Sequence, residues 1–124
     1  MFEYTTYMTL LKKLQNIRPS WRAVVVLWGE ELSFRIQVVV GAVVLLLAYE
    51  LGISKIELLV VVFVVGAVLA IEALNTAIEE LCDHVTPEEH PNIGKVKDLG
   101  SAAALLIGIT AVVIGCIIFL PYLM

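Results

Sequence analysis

The chain has 124 residues, of which 60% are hydrophobic and 16% charged, and its formal net charge is −4. Its mean hydropathy is +0.97. The hydrophobic fraction exceeds that of a soluble domain, in which only about 45–50% of the residues are apolar. A chain of this length buries roughly two-thirds of its surface on folding, so this composition excludes a soluble monomer. The negative net charge gives no general reason to expect nucleic acid as a partner.

A basic and amphipathic region opens the chain. Apolar residues recur at steps of three and four from Leu10 to Trp28, with lysines and arginines between them. This pattern is typical of a helix in the lipid headgroup region, with tryptophans at the boundary. We predict such a surface helix over about 8–29, with a division near Pro19, because proline is favoured in a first helical turn. The alternative is a plain membrane anchor without a site.

Three segments with few or no charges follow, at residues 36–49, 58–71 and 99–124. A helix needs about 20 residues to cross a bilayer, so the first two segments must recruit their neighbours. We therefore predict an all-α membrane protein, in one domain, with three transmembrane helices and one polar loop. The helices are expected at about 33–53, 57–82 and 98–121, and the loop at 83–97.

The basic residues indicate how the chain is oriented. Seven of the eight lie before the first span, at its start, or between the second and third spans, and Lys55 alone lies between the first and second. The positive-inside rule therefore predicts a cytoplasmic N-terminus and an external C-terminus.

The second span carries a polar stripe. On a helix its members fall on one face; they are Glu72, Asn75, Thr76, Glu79 and Asp83. Carboxylates at membrane depth cost a few kcal/mol each on insertion scales and are by default candidates for function. The structural alternative is that Glu72 only pairs with Arg35 or with an amide of the bundle.

The spacing of these carboxylates separates their possible roles. Glu72 and Glu79 lie about 10 Å apart along a helix, too far to share one proton or one metal ion readily. Glu72 lies deeper in the apolar region and is suited to accept a proton. Glu79 can hold a hard cation such as Mg²⁺ together with a carboxylate from the start of the first span. Spacing alone does not choose between Glu30 and Glu31 for that partner.

The third span begins with charged and small residues. Lys97 is suited to binding phosphate and stands beside Asp98, although it can also be an ordinary positive flank. Gly100, Ala104 and Gly108 form a small-residue face for tight helix packing. Carboxylates, an amide and a lysine are thus expected at one membrane boundary.

These motifs resemble the prokaryotic diacylglycerol kinase family. The main match is Glu72-Ala-Leu-Asn75-Thr76-Ala77-Ile78-Glu79-x-x-x-Asp83, followed by Lys97-Asp98-Leu-Gly100-Ser101-Ala102-Ala103. Further matches are Ser20-Trp21, Trp28, Glu31-x-x-Phe34-Arg35 and Glu88-Glu89-His90. The resemblance implies a homotrimeric enzyme of the bacterial inner membrane that transfers the γ-phosphoryl of MgATP to a lipid hydroxyl, with sites shared between subunits.

The resemblance also implies roles for single residues. Glu72 matches the catalytic base, and Glu31 and Glu79 match the pair that binds Mg²⁺, the expected cofactor. Matches to ATP-binding positions are Lys12, Ser20, Glu31, Asn75, Glu79, Glu88, Glu89, His90, Lys97 and Asp98. Matches to the lipid-substrate side are Trp28, Phe34, Arg35, Glu72 and Ser101.

Two positions of the surface helix depart from the family pattern. Lys12 stands where the family has an arginine, and Pro19 replaces a tyrosine before the Ser-Trp pair. Lysine keeps the charge but lacks the bidentate fork of arginine. The nucleotide contacts that the resemblance implies for this helix therefore lack one arginine and one tyrosine of the family pattern.

The sequence leaves open which of two lipid acceptors used within the family this chain takes. The run from Lys97 to Ala103 looks like the diacylglycerol kinases of Gram-negative bacteria, whereas Phe34-Arg35-Ile36 and Asn75-Thr76-Ala77-Ile78-Glu79 look more like the undecaprenol kinases. We expect diacylglycerol, which gives phosphatidic acid, with undecaprenol as the alternative. A second alternative is a non-enzymatic oligomer in which Glu72 and Glu79 line an ion-conducting pore.

Overall fold

The computed structural model describes residues 2–15, 17–85 and 90–124, and it contains no strand within those ranges. The helices are α1 (Phe2–Gln15), α2 (Ile17–Glu30), α3 (Leu32–Leu51), α4 (Lys55–Val85) and α5 (Pro91–Leu123). The described residues up to Arg35 form one compact unit, and those from Ile36 onward form a second. The predicted all-α class is confirmed.

Three of these helices are long and apolar enough to cross a membrane. The best 18-residue windows of α3, α4 and α5 have mean hydropathies of 2.0, 2.6 and 2.9. Only 17% of the window in α3 and 6% of the windows in α4 and α5 are buried. Apolar surface on this scale requires lipid or other chains around it, and the three predicted membrane helices are confirmed.

The core of the second unit lies where α3 ends and α4 begins. Ala48, Val61, Ile118 and Phe119 are buried together, one from α3, one from α4 and two from the end of α5. Around this cluster pack Val44, Leu45, Leu51, Ile53, Val65 and Ile114. The core therefore ties the C-terminal end of α5 to the connection between α3 and α4.

That connection is a three-residue turn with a cap on each side. Gly52 has φ +62°, which glycine adopts without strain. Its N–H donates to the carbonyl of Tyr49 at 3.2 Å, and the N–H of Ile53 donates to the carbonyl of Ala48 at 3.4 Å. This is a Schellman motif, in which the residue after the glycine also packs against the helix end, as Ile53 does here.

The first turn of α4 is closed by a capping box. The N–H of Glu57 donates to Ser54 Oγ at 3.2 Å, and the N–H of Ser54 donates to Glu57 Oε1 at 3.1 Å. The reciprocal pair satisfies two backbone donors that a helix start leaves open. The sequence signal, a serine followed three residues later by a glutamate, is present at positions 54 and 57.

The first unit contains two helices. α1 ends at Gln15 and α2 begins at Ile17, so Pro19 stands in the first turn of α2, where its missing N–H costs little. The apolar side chains of Ile17, Trp21 and Trp28 recur along α2 and are 49%, 66% and 46% exposed. The stripe that the sequence predicts is thus present on this helix and is open to its surroundings.

Candidate functional site

The candidate site lies where α4 ends and α5 begins, which we call the polar end of the α4–α5 pair. α4 packs along α5, and the contact between Asp83 of α4 and Lys97 of α5 makes the pair antiparallel. The polar face of α4 therefore meets the first turns of α5. The predicted site residues at this end are Glu72, Asn75, Glu79, Lys97, Asp98 and Ser101.

Lys97 forms an ion pair with Asp83. Its side chain is 39% exposed and that of Asp83 is 66% exposed. The pair directs the ammonium group toward the acidic face of α4 and leaves it reachable from outside. The sequence places Asp83 on the polar stripe and Lys97 at the same boundary, but the pairing itself is found only in the structure.

Asn75 lies at a close approach of the two helices. An added Cβ at Gly100 would lie 2.6 Å from Asn75 Oδ1 and 3.5 Å from Ile78 Cγ2, so the backbone of α5 rests on these two side chains. Only glycine allows this approach without a shift. The small-residue spacing predicts tight packing at Gly100 but does not identify the partner, which is the amide of the site.

The same amide links to the next carboxylate along the stripe. Asn75 Nδ2 donates to Glu79 Oε1 at 3.4 Å, one helical turn away. Its Oδ1 atom is buried and has no hydrogen-bond partner in the described part of the chain. Asn75 is thus held between the backbone of α5 and an exposed carboxylate, which fixes its amide at the polar end.

Glu72 lies one turn deeper in α4 on the same face. It is half-buried and interacts with another group of the protein. Seven residues separate it from Glu79, which places the two carboxylates about 10 Å apart along the helix axis. The two acids therefore lie about two turns apart on one continuous helix.

The first residues of α5 complete this end. His90 is the N-cap, with extended backbone, and its Nδ1 accepts a hydrogen bond from the N–H of Asn92 at 3.2 Å. Pro91 follows in the first helical turn. The helix therefore begins before the apolar span expected at 98–121, and it carries Lys97, Asp98 and the exposed Ser101 on ordered backbone.

Other predicted site residues belong to the first unit. Lys12, Ser20 and Trp28 are exposed on α1 and α2. Glu31 is half-buried between α2 and α3, and its N–H donates to the carbonyl of Leu27 at 2.9 Å, so helical hydrogen bonding continues through it. Phe34 is buried. Their predicted roles stay predictions.

Arg35 ends this unit and is half-buried. Its Nε atom is buried without a hydrogen-bond partner among the described residues. Glu88 and Glu89, which are also predicted to bind ATP, lie outside the described residues.

The polar end contains oxygen donors of the kind that Mg²⁺ binds. Mg²⁺ prefers oxygen ligands and is commonly held by one or two carboxylates together with substrate phosphates. Glu79 supplies an exposed carboxylate, and the amide of Asn75 lies one helical turn away from it. Within residues 2–15, 17–85 and 90–124, no group of three or more acidic, histidine or cysteine side chains is arranged to hold a metal ion by itself.

Comparison with known proteins identifies the family. The profile described as prokaryotic diacylglycerol kinase matches residues 18–119, which include every described residue of the polar end. The chain belongs to this family. The resemblance seen in the motifs is confirmed.

Individual relatives in the family differ in their acceptor. A diacylglycerol kinase of Escherichia coli (strain K12) is 34% identical over 99 residues, which cover 80% of this chain and 81% of the relative. An undecaprenol kinase of Bacillus subtilis (strain 168) is 31% identical over 93 residues, with 75% and 76% covered. A diacylglycerol kinase of Pseudomonas aeruginosa is 38% identical over 73 residues, 59% of each chain.

Family membership makes the chain a membrane-bound lipid kinase, whose phosphotransfer depends on a nucleotide. It supports the prediction that the protein is an enzyme and gives no support to the alternative of a non-enzymatic ion-conducting oligomer. With the bacterial relatives and three apolar helices, it also supports a location in the inner membrane.

Proposed function

We propose that the protein transfers the γ-phosphoryl of MgATP to the hydroxyl of diacylglycerol and so produces phosphatidic acid. The observation that carries this proposal is the polar end, where Asn75 of α4 lies against Gly100 of α5 and bonds to Glu79, and where Lys97 is paired with Asp83. Carboxylates, an amide and a cation on membrane helices serve positioning and charge neutralisation, on which phosphoryl transfer mainly depends.

Each residue has a distinct task in this proposal. Glu72, the deepest carboxylate, accepts the proton of the lipid hydroxyl as it attacks. Lys97 exchanges Asp83 for a phosphate oxygen and offsets the charge on the transferring group. Asn75, fixed by Glu79 and by the backbone at Gly100, orients the phosphates. The surface helices and the connection before His90 supply the remaining ATP contacts.

The metal site of the proposal contains Glu79, with Glu31 as the second carboxylate that the family resemblance implies. Bound Mg²⁺ neutralises phosphate charge during transfer. Glu79→Ala raises the Mg²⁺ concentration that gives half-maximal activity by about tenfold, because one of few protein oxygens is lost. Activity is titrated with Mg²⁺ at constant ATP. Glu80→Ala on the same helix is the control, and an unchanged Mg²⁺ requirement in Glu79→Ala contradicts the assignment.

Diacylglycerol is proposed over undecaprenol because of the run from Lys97 to Ala103. Relatives with either acceptor have similar identity, 34% and 31%, so overall similarity does not choose between them. We also propose a homotrimer, a cytoplasmic N-terminus and an external C-terminus. The sparsely buried faces of α4 and α5 support association with further copies.

A competition assay tests the reaction. The purified protein receives radiolabelled ATP, Mg²⁺ and equal amounts of diacylglycerol and undecaprenol in mixed micelles, and we expect label mainly in phosphatidic acid. Glu72→Gln lowers kcat at least about a hundredfold while the protein keeps its size-exclusion profile. Glu80→Gln, the same substitution at an exposed position of α4, keeps full activity. Label mainly in undecaprenyl phosphate contradicts the proposed acceptor, and full activity of Glu72→Gln contradicts the base.

A further inference from the structure

A small hydrogen-bonded group lies at the opposite end of the α4–α5 pair, which we call the distal end. Tyr122 Oη, from the last turn of α5, donates to Glu57 Oε1 at 2.5 Å. The same carboxylate oxygen accepts the N–H of Ser54 at 3.1 Å as part of the capping box of α4. The carboxylate is therefore fixed on α4 before it meets Tyr122. Phosphoryl transfer at the polar end makes no direct use of these residues.

The distance between the distal contact and the Asp83–Lys97 pair is nearly the same along α4 as along α5. Glu57 and Asp83 are 26 residues apart on α4, which corresponds to about 39 Å of helix. Lys97 and Tyr122 are 25 residues apart on α5, which corresponds to about 37.5 Å. Because the two lengths agree within the rise of one residue, antiparallel helices satisfy both contacts in one register. A slip of one helical turn breaks both.

Apart from the Asn75–Gly100 approach, the segments between the two contacts carry little information on register. They are built mainly from valine, leucine, isoleucine, alanine and glycine, and apolar attraction has no direction. A directional hydrogen bond between helix ends can choose one axial position among several that pack about equally well. The hydroxyl of Tyr122 supplies such a bond, and Glu57 supplies a preset acceptor.

We propose that Glu57 and Tyr122 are positioning residues for the kinase site. They set the axial position of α5 on α4, so that Gly100 meets Asn75 and Lys97 meets Asp83 at the other end of the pair. The effect on catalysis rests on the proposed function, whereas the effect on register does not.

Kinetics of the full-length protein in nanodiscs test the catalytic part. Tyr122→Phe and Glu57→Ala remove the contact, and kcat/KM for ATP falls about tenfold in both, because small misplacements of ligand-binding groups are costly. The fall lies mainly in KM, since ATP contacts both helices, and less in kcat. Glu57→Gln keeps an acceptor oxygen and restores near-normal KM. Tyr49→Phe removes a hydroxyl from a side chain that is 82% exposed near the end of α3 and changes nothing.

Nuclear magnetic resonance tests the register without any turnover. The chain has three asparagines, so ¹⁵N-asparagine labelling gives three side-chain amide groups, and Asn75→Gln identifies that of Asn75. We expect this resonance to shift in Tyr122→Phe and Glu57→Ala and to stay in place in Glu57→Gln and Tyr49→Phe. Thermal unfolding of each variant verifies that it is folded at the temperature of measurement.

The outcomes are distinguishable. If Tyr122→Phe lowers Tm but leaves both the Asn75 resonance and KM unchanged, the contact is only stabilising and the proposal fails. A normal KM together with a shifted Asn75 resonance overturns the catalytic part. If the wild-type protein phosphorylates neither lipid while the Asn75 resonance moves in Tyr122→Phe, the proposed function fails and the register inference stands.

Discussion

Gly100 is the residue at which packing and the candidate site meet. Gly100→Ala places a Cβ 2.6 Å from Asn75 Oδ1, so the amide must rotate and release Glu79. We expect kcat/KM for ATP to fall about tenfold. Stability changes little, because alanine favours a helix over glycine by about 0.5–1 kcal/mol, which offsets the crowding.

Gly108→Ala is the matched control for Gly100→Ala. An added Cβ at Gly108 meets no described atom within 4 Å, so we expect unchanged kinetics and equal or higher Tm. The two variants are compared by steady-state kinetics and by thermal unfolding. Equal kinetic effects of the two substitutions contradict the role given to the Asn75–Gly100 contact.

The residue scale also shows how far the sequence predicts the candidate site. Helical periodicity places Glu72, Asn75 and Glu79 on one face of α4, and in the structure all three lie on one continuous helix with Asn75 bonded to Glu79. Periodicity does not predict the pairing of Asp83 with Lys97, because they lie on different helices and the register between helices depends on packing.

At the scale of elements, α3 and α4 approach closely at one glycine. An added Cβ at Gly41 would lie 2.8 Å from Val65 Cγ1. Gly41→Ala therefore crowds the two helices, and we expect a loss of about 1–3 kcal/mol in the free energy of unfolding. Thermal or denaturant unfolding in detergent measures it.

Gly66→Ala on α4 provides the comparison for Gly41→Ala. No described atom lies within 4 Å of an added Cβ at Gly66, so the substitution leaves the chain as stable as before or more stable by about 0.5–1 kcal/mol. A destabilisation of the same size at both glycines shows that contacts with other copies, rather than the α3–α4 approach, decide the effect.

Hydropathy predicts the number of membrane helices but not their full extents. α4 continues to Val85 and α5 begins at Pro91, because helices extend beyond apolar spans wherever caps and polar faces sustain them. The sequence signals for helix ends are short and local. Examples are Ser54 and Glu57 at the start of α4 and His90 and Pro91 at the start of α5. Periodicity over a long window does not detect them.

At the scale of the whole molecule, the distribution of basic residues makes a prediction about topology. We expect a membrane-impermeant maleimide to label a cysteine at Met124, which is 96% exposed, in intact cells or right-side-out vesicles. A cysteine at Tyr4 is labelled only after the membrane is permeabilised. Both are introduced into a protein with Cys82→Ala and Cys116→Ala, which alone stays unlabelled. The reverse pattern contradicts the proposed orientation.

The short turn around Gly52 has a consequence for how the protein is made. Three residues cannot leave the membrane far, so we expect α3 and α4 to enter the bilayer during synthesis as a single hairpin, which in the proposed orientation carries Glu50, Lys55 and Glu57 across at its tip. Ser54 already engages Glu57 within this hairpin. α5 follows later in the chain, so the capping box already holds Glu57 when Tyr122 donates its hydrogen bond to that carboxylate. The order of translation thus matches the order in which the helices acquire their final alignment.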